Sequence, residues 1–136
     1  MKDLIEYLPH RAPAVWIDEA TPDACYVDLK SDAPYMTNGK LRRTSLIEFI
    51  AQSFGYQAAA RALSQGKAPS KSSKAYLVAV TKCALKDTSA LKPGDRLEIA
   101  ISDVNQIGPI TLFNSTVTDP HGTELARASL KVFSET

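Results

Sequence analysis

TSLIEFIAQSFGYQAAARALSQ, residues Thr44 to Gln65, is the one long segment of the chain with a helical period, and its apolar rows decide the fold. Leu46, Ile50, Phe54 and Ala58 recur every four residues, while Ile47, Ala51, Gly55, Ala58 and Ala62 fill the neighbouring rows. The apolar face is therefore wider than an ordinary amphipathic stripe, and such a helix expects cover on most sides. Thr44 or Ser45 supplies the N-cap, Gly66 supplies the residue that turns left-handed at the end, and no proline interrupts.

On the N-terminal side, Ser31 to Arg43 (SDAPYMTNGKLRR) has Pro34, the Asn38-Gly39 turn dipeptide and no steady period, which predicts a loop leading into the helix. Before it, Ala14 to Ala20 and Ala24 to Leu29 alternate like strands around Thr21-Pro22-Asp23, the simplest reading being a hairpin. Lys2 to Leu8 is compatible with a short helix stopped by Pro9. On the C-terminal side, a Ser/Lys-rich connector, KAPSKSSK, precedes four strand-like runs: Ala75 to Leu85, Arg96 to Val104, Ile110 to Thr118 and Glu124 to Phe133. Lys92-Pro93-Gly94-Asp95, Gly108-Pro109 and Asp119-Pro120-His121-Gly122 punctuate them. One broad-faced helix with six antiparallel strands predicts an α+β domain in which a curved sheet wraps the helix. An unpaired edge of that sheet would favour dimerisation by sheet extension.

At 136 residues and 44% hydrophobic, the chain suits a single domain spanning residues 1–136. Its formal net charge of +1 provides no global basic field and argues against general nucleic-acid binding. Cys25 and Cys83 lie in strand-like segments without metal-ligand spacing, so reduced, buried thiols and a cytoplasmic location are expected. The start, MKDLIEYLPHR, has no signal-peptide core, and no apolar run reaches membrane-spanning length, so a soluble, unprocessed protein is expected. No metal set, phosphate-binding glycine loop or Ser-His-Asp arrangement is visible.

Three motifs in order resemble one family. Leu8-Pro9-His10-Arg11-Ala12-Pro13, followed by an apolar run ending in Asp18, resembles the LPHRxP opening of the beta-hydroxyacyl-acyl carrier protein dehydratases, which have the hotdog fold. Glu48-Phe49-Ile50-Ala51-Gln52 is similar to their E-x-x-A-Q on the central helix, and Tyr76 to Lys82 with Lys92-Pro93-Gly94-Asp95 resembles their third strand and PGD turn. The resemblance covers nearly the whole chain and is closest to the small dehydratase-like proteins of polyene and aryl polyene pathways.

That resemblance implies syn elimination of water from a 3-hydroxyacyl thioester carried on the phosphopantetheine of an acyl carrier protein, with no further cofactor. A histidine would take the C2 proton, a helix carboxyl from the other subunit of a dimer would assist hydroxide departure, and a backbone amide would polarise the thioester carbonyl. The carboxyl maps onto Glu48 and the amide onto Ala79, where the family usually has glycine. The family's histidine loop corresponds to Pro34 to Gly39, which contains no histidine. His10 is then the candidate substitute base, His121 being placed in an Asp-Pro-His-Gly turn where solvation is expected. Tyr35, Asn38 and Gln52 are candidates for orienting substrate, although a tyrosine with an ordinary pKa of about 10 is a poor base.

Glu48 has a second reading, because Ser45-x-x-Glu48 is itself a capping-box pattern. Within a slot at a dimer interface, desolvation would instead raise its pKa and let it donate a proton. Gln52, one turn on, would hydrogen-bond it or the thioester region, or only line the slot. Lys40, Arg42 and Arg43 before the helix, and Lys67, Lys71 and Lys74 in the connector, would either dock an acidic carrier protein or form a solvated surface. Three functions follow: a dehydratase component, weakly active alone as a homodimer or completing a heteromer with a second hotdog subunit; an acyl thioesterase in which Glu48 activates water; or a non-catalytic acyl or carrier-protein binding module.

Overall fold

A computed structural model describes residues 16–66 and 74–135. Among these residues eight strands and one helix follow in order: β1 (Glu19–Ala20), β2 (Cys25–Asp28), β3 (Met36–Thr37), β4 (Lys40–Leu41), α1 (Ser45–Ser64), β5 (Lys74–Leu85), β6 (Arg96–Ile107), β7 (Ile110–Thr118) and β8 (Glu124–Glu135). Six of the strands form one sheet in the order β1-β2-β6-β7-β8-β5, and every pairing is antiparallel. The helix lies against the inner face of this sheet, chiefly over β6, with β1, β2 and β7 beside it. The expected wrapped sheet is the observed architecture.

Period-two patterning explains which face is inside. Leu97, Ile99 and Ile101 of β6 are buried beside exposed Arg96 and Glu98, and Phe113, Ser115 and Val117 of β7 are buried around exposed Asn114. They meet Leu46, Phe49, Ile50 and Tyr56 of α1, together with Cys25, Val27 and Leu130, in one continuous core. Strands β6 and β8 run beyond their expected ends, to Ile107 and Glu135. The first expected strand shrinks to Glu19–Ala20 within the described residues, the short helix expected over Lys2 to Leu8 and the connector at 67–73 lying outside them.

The loop before the helix contains a small hairpin, β3 with β4, that the pattern did not predict. Its Asn38-Gly39 turn has φ of +53° and +75°, the left-handed pair that such a two-residue connection requires. The helix is also rotated from the expected register. Ser45, Gln52, Ser53 and Gln57 are buried while Ala58 is exposed, so part of the covered face is polar. The reason is local: Gln57 Nε2 and Arg61 Nε both donate to the Pro22 carbonyl, at 3.1 and 2.8 Å, tying the helix to the turn between β1 and β2. Phe54, half-buried, stacks on Phe113 with ring centroids 4.5 Å apart. No helix among the described residues is long and apolar enough to cross a membrane.

Candidate active site

The first turns of α1 decide what Glu48 does. Thr44 occupies the N-cap in a helical conformation and makes no side-chain capping bond. Glu48 instead accepts a hydrogen bond from Gln52 Nε2 at 3.2 Å, one turn further on the same side of the helix. Gln52 is 2% exposed, and its other amide atom, Oε1, accepts the backbone N–H of Trp16 at 2.8 Å. That donor fixes the amide's orientation: with Oε1 turned to a backbone N–H, Nε2 is left to face the carboxylate.

An aromatic trio stands beside this pair. Trp16, Tyr35 and Phe49 meet edge to face with centroids 5.2 to 5.7 Å apart, so Trp16 is held both by its backbone and by its ring. Tyr35 is buried, its hydroxyl accepting from the Lys30 N–H at 3.0 Å and donating to the Asp28 carbonyl at 3.3 Å. Burial pushes its phenol above the ordinary range, so it remains a donor and not a base at neutral pH. Its contacts brace the segment between β2 and β3.

The other candidate residues are spread out. Asn38 is exposed at the tip of the β3–β4 hairpin in the left-handed region. Lys40 and Arg43 are exposed, whereas Arg42 donates from its guanidinium to the Pro34 carbonyl at 2.7 Å and so also holds the loop. Ala79 is half-buried on β5, next to a register shift against β8, and lines a cavity of about 410 Å³ that includes none of Glu48, Gln52, Tyr35 or Asn38. The single chain therefore unites Glu48, Gln52, Trp16, Phe49 and Tyr35, and leaves Ala79 apart. Trp16 was not among the residues singled out from sequence for the site, because its role is carried by a backbone N–H, which no side-chain pattern reveals.

His10 lies outside the described residues. His121 is exposed in the turn between β7 and β8, where its N–H donates to Asp119 Oδ1 at 2.8 Å. Among the described residues no group of three histidine, cysteine or acidic side chains is arranged to hold a metal ion. Cys25 and Cys83 are free thiols; the first is buried as expected, whereas the second, expected to be buried, is exposed on the edge strand β5.

Strand β5 ends the sheet opposite β1, and among the described residues its outer edge has no partner strand. It is 12 residues long, with Leu77 and Val78 at 43% and 55% exposure. The other edge, β1, has two residues. A long apolar edge is the kind that pairs with another chain.

A family model described as ApeP-like, ApeP dehydratase, matches residues 2–136. Among curated proteins none matches significantly. The dehydratase heterocomplex ApeI:P from Xenorhabdus doucetiae is similar in structure at a TM-score of 0.79 and 21% identity, with 98% of this chain and 91% of that chain covered. A hypothetical thioesterase protein with coenzyme A from Streptococcus pneumoniae TIGR4 follows at 0.64 and 15%, covering 99% and 96%. The smu.793 protein from Streptococcus mutans UA159 bound to acetyl CoA is similar at 0.62 and 16%, covering 93% and 94%. At these identities the likenesses show the shared fold.

Proposed function

The chain belongs to the ApeP-like dehydratase family, and from that premise we propose that it is a component of a 3-hydroxyacyl-acyl carrier protein dehydratase of polyene or fatty acid biosynthesis, completed by a second hotdog subunit. The observation that carries this reading is the Glu48–Gln52 pair, a carboxyl engaged by a buried amide and not spent on the helix cap. In the reaction a base removes the C2 proton of the 3-hydroxyacyl thioester, and the developing enolate oxygen is held by a backbone N–H. Glu48 gives a proton to the departing hydroxyl, so that water and the 2-enoyl thioester leave. The base would come from the partner's histidine, since the loop before α1 has none and the one described histidine, His121, is in an exposed turn.

The partner would join along β5, where a long apolar edge stands beside Ala79, the position expected to supply the carbonyl-polarising N–H. Exposed Lys40 and Arg43 at the mouth of the helix would receive an acidic carrier protein, with Arg42 bracing the loop beneath them. Two unpaired thiols fit a reducing compartment.

The test is the intact mass of a 3-hydroxyacyl carrier protein incubated with the chain alone and with a histidine-bearing hotdog subunit. Loss of water only in the mixture supports the heteromer. Loss of water with the chain alone moves attention to His10. Loss of the acyl group identifies a thioesterase, the alternative favoured by the fold shared with the Streptococcus pneumoniae protein. Binding without either change identifies a non-catalytic module.

A further inference from the structure

The face of the sheet turned away from α1 has a site of its own. Along β7 and β8 the residues between the buried ones, Leu112, Asn114 and Thr116, then Arg127, Ser129 and Lys131, point outward. The register aligns Ser102, Asn114, Ser129 and Thr81 in one transverse row across β6, β7, β8 and β5. Four hydroxyl and amide side chains thus line up across four strands.

Two irregularities bracket that row. The pairing slips between Ser102 and Asn105 on β6 and between Thr81 and Ala84 on β5. In each slip one residue that is not glycine takes a positive φ: Asp103 at +54° and Lys82 at +49°. A β-bulge re-aims a side chain, and a strained non-glycine residue persists only where its surroundings demand it. Both re-aimed side chains are charged, and both turn to the same place.

That place is a trough. Two adjoining cavities on this face, of about 410 and 260 Å³, share Lys82, Asp103, Asn114 and Ser129. Its floor is ordered by a directional chain: Ser129 Oγ donates to Asn114 Oδ1 at 2.7 Å, and Asn114 Nδ2 donates to Asp103 Oδ2 at 2.8 Å. The trough is consequently polarised. Its β6 end carries the Asp103 carboxylate, and its β5–β8 end carries Lys82 and Lys131, neither in an ion pair among the described residues. Arg127, also at that end, is taken up by Glu124 at 2.6 Å. The ends are three strand spacings apart, about 14 Å. Leu112 between them and Ala79 at the β5 end provide apolar floor.

We propose that this trough binds a phosphorylated small molecule bearing hydroxyl or amino donors, of nucleotide or sugar-phosphate size, with the phosphate at Lys82 and Lys131 and the donors at Asp103. A bare anion would have no use for Asp103. A nucleic-acid strand, anionic along its whole length, would meet that carboxylate unfavourably. The site is on the opposite face of the sheet from α1 and does not use Glu48, but it shares Ala79 and strand β5 with the assembly surface proposed above, so its test is made on the chain without a partner subunit.

Titration of the full chain with AMP, ribose 5-phosphate, adenosine and inorganic phosphate, followed by calorimetry and backbone amide NMR shifts, tests it. The expected result is saturable binding of AMP with shifts around residues 79–84, 102–105 and 112–114, and at least tenfold weaker binding of adenosine and of phosphate. Ribose 5-phosphate matching AMP assigns the ligand to sugar phosphates, and weaker binding assigns it to nucleotides. Asp103→Asn should weaken AMP at least tenfold while leaving phosphate unchanged. Lys82→Gly, which relieves the positive φ, should abolish binding without lowering the melting temperature. No binding by AMP or ribose 5-phosphate at millimolar concentration overturns the proposal. So does phosphate binding as tightly as AMP, or AMP binding indifferent to both substitutions.

Discussion

Gln52 Nε2 donates to Glu48 Oε1 across 3.2 Å, one helical turn apart, while the backbone N–H of Trp16 holds the other side of the same amide. A carboxyl engaged in this way is presented in a defined orientation. The capping-box reading of Glu48 requires it to take the Ser45 backbone N–H, which donates to the Arg42 carbonyl at 2.9 Å.

Glu48→Gln preserves the acceptor that Gln52 uses, so the fold should survive with a stability change below about 1 kcal/mol. Turnover by the assembled dehydratase should fall about 10²- to 10⁴-fold, the usual contribution of a positioned proton donor. Intact-mass kinetics on the carrier-bound substrate give the rate, and a denaturant midpoint gives the stability. An unchanged rate removes Glu48 from the chemistry.

Edge strand β5 should be the assembly surface. Val78→Lys puts a desolvation cost on an apolar edge position that is 55% exposed in the single chain. Light scattering should show loss of the complex with the partner subunit, with circular dichroism unchanged. Val104→Lys, at 46% exposure on β6, is the control and should leave assembly intact. Equal loss from both substitutions would place the contact elsewhere.

Much of this architecture was legible in the chain. Leu97, Ile99 and Ile101 alternate as a half-buried strand must, and Lys92-Pro93-Gly94-Asp95 and Asp119-Pro120-His121-Gly122 mark the turns that separate the long strands. The helix was bounded to within a residue because Thr44 and Gly66 flank it. Its buried face was not legible. Hydropathy favours Phe54 and Ala58, but burial follows Phe49, Gln52, Ser53 and Gln57, and among these Gln52 and Gln57 have backbone groups of distant segments to satisfy. The outer trough was invisible for another reason: Lys82 and Asp103 sit at left-handed positions where sequence reasoning looks for glycine. The Trp16–Gln52 bond joins residues 36 positions apart, which no local period reports.

The two thiols should differ sharply in reactivity. Cys25 is buried with its Sγ donating to the Ser53 carbonyl at 3.6 Å, and burial pushes its pKa up to about 11. That lowers its thiolate fraction at neutral pH by about two orders of magnitude relative to an ordinary cysteine, before access is considered. A disulfide reagent should therefore titrate one thiol rapidly, the exposed Cys83, and the second only on unfolding. Because Cys83 is on β5, addition of the partner subunit should slow its labelling. Fast reaction of both thiols in the native chain would contradict the packing around Cys25.

Acid should weaken the attachment of the sheet's short edge. Arg96 donates from Nε to Asp28 Oδ1 at 2.7 Å and from a terminal nitrogen to Asp28 Oδ2 at 3.1 Å, and reaches Glu19 on β1 at 3.0 Å. The guanidinium holds the Asp28 carboxyl below its usual range. A carboxyl whose folded pKa is depressed stabilises the fold above its unfolded value of about 3.9, and that contribution disappears as pH falls through the lower folded value. The Asp28 side chain is 41% exposed, so solvent screening limits the pair to about 0 to 1 kcal/mol. Arg96→Met should therefore lower the denaturant midpoint at neutral pH, and the gap from the parent should narrow as pH falls below about 4. Backbone amide exchange should show the same loss at Glu19 and Ala20, which pair with Tyr26 and Cys25, before the core strands respond. A gap between parent and variant that stays constant to about pH 2 would mean that Arg96 acts through its packing over the Tyr26 ring, 4.9 Å from the centroid, and not through Asp28.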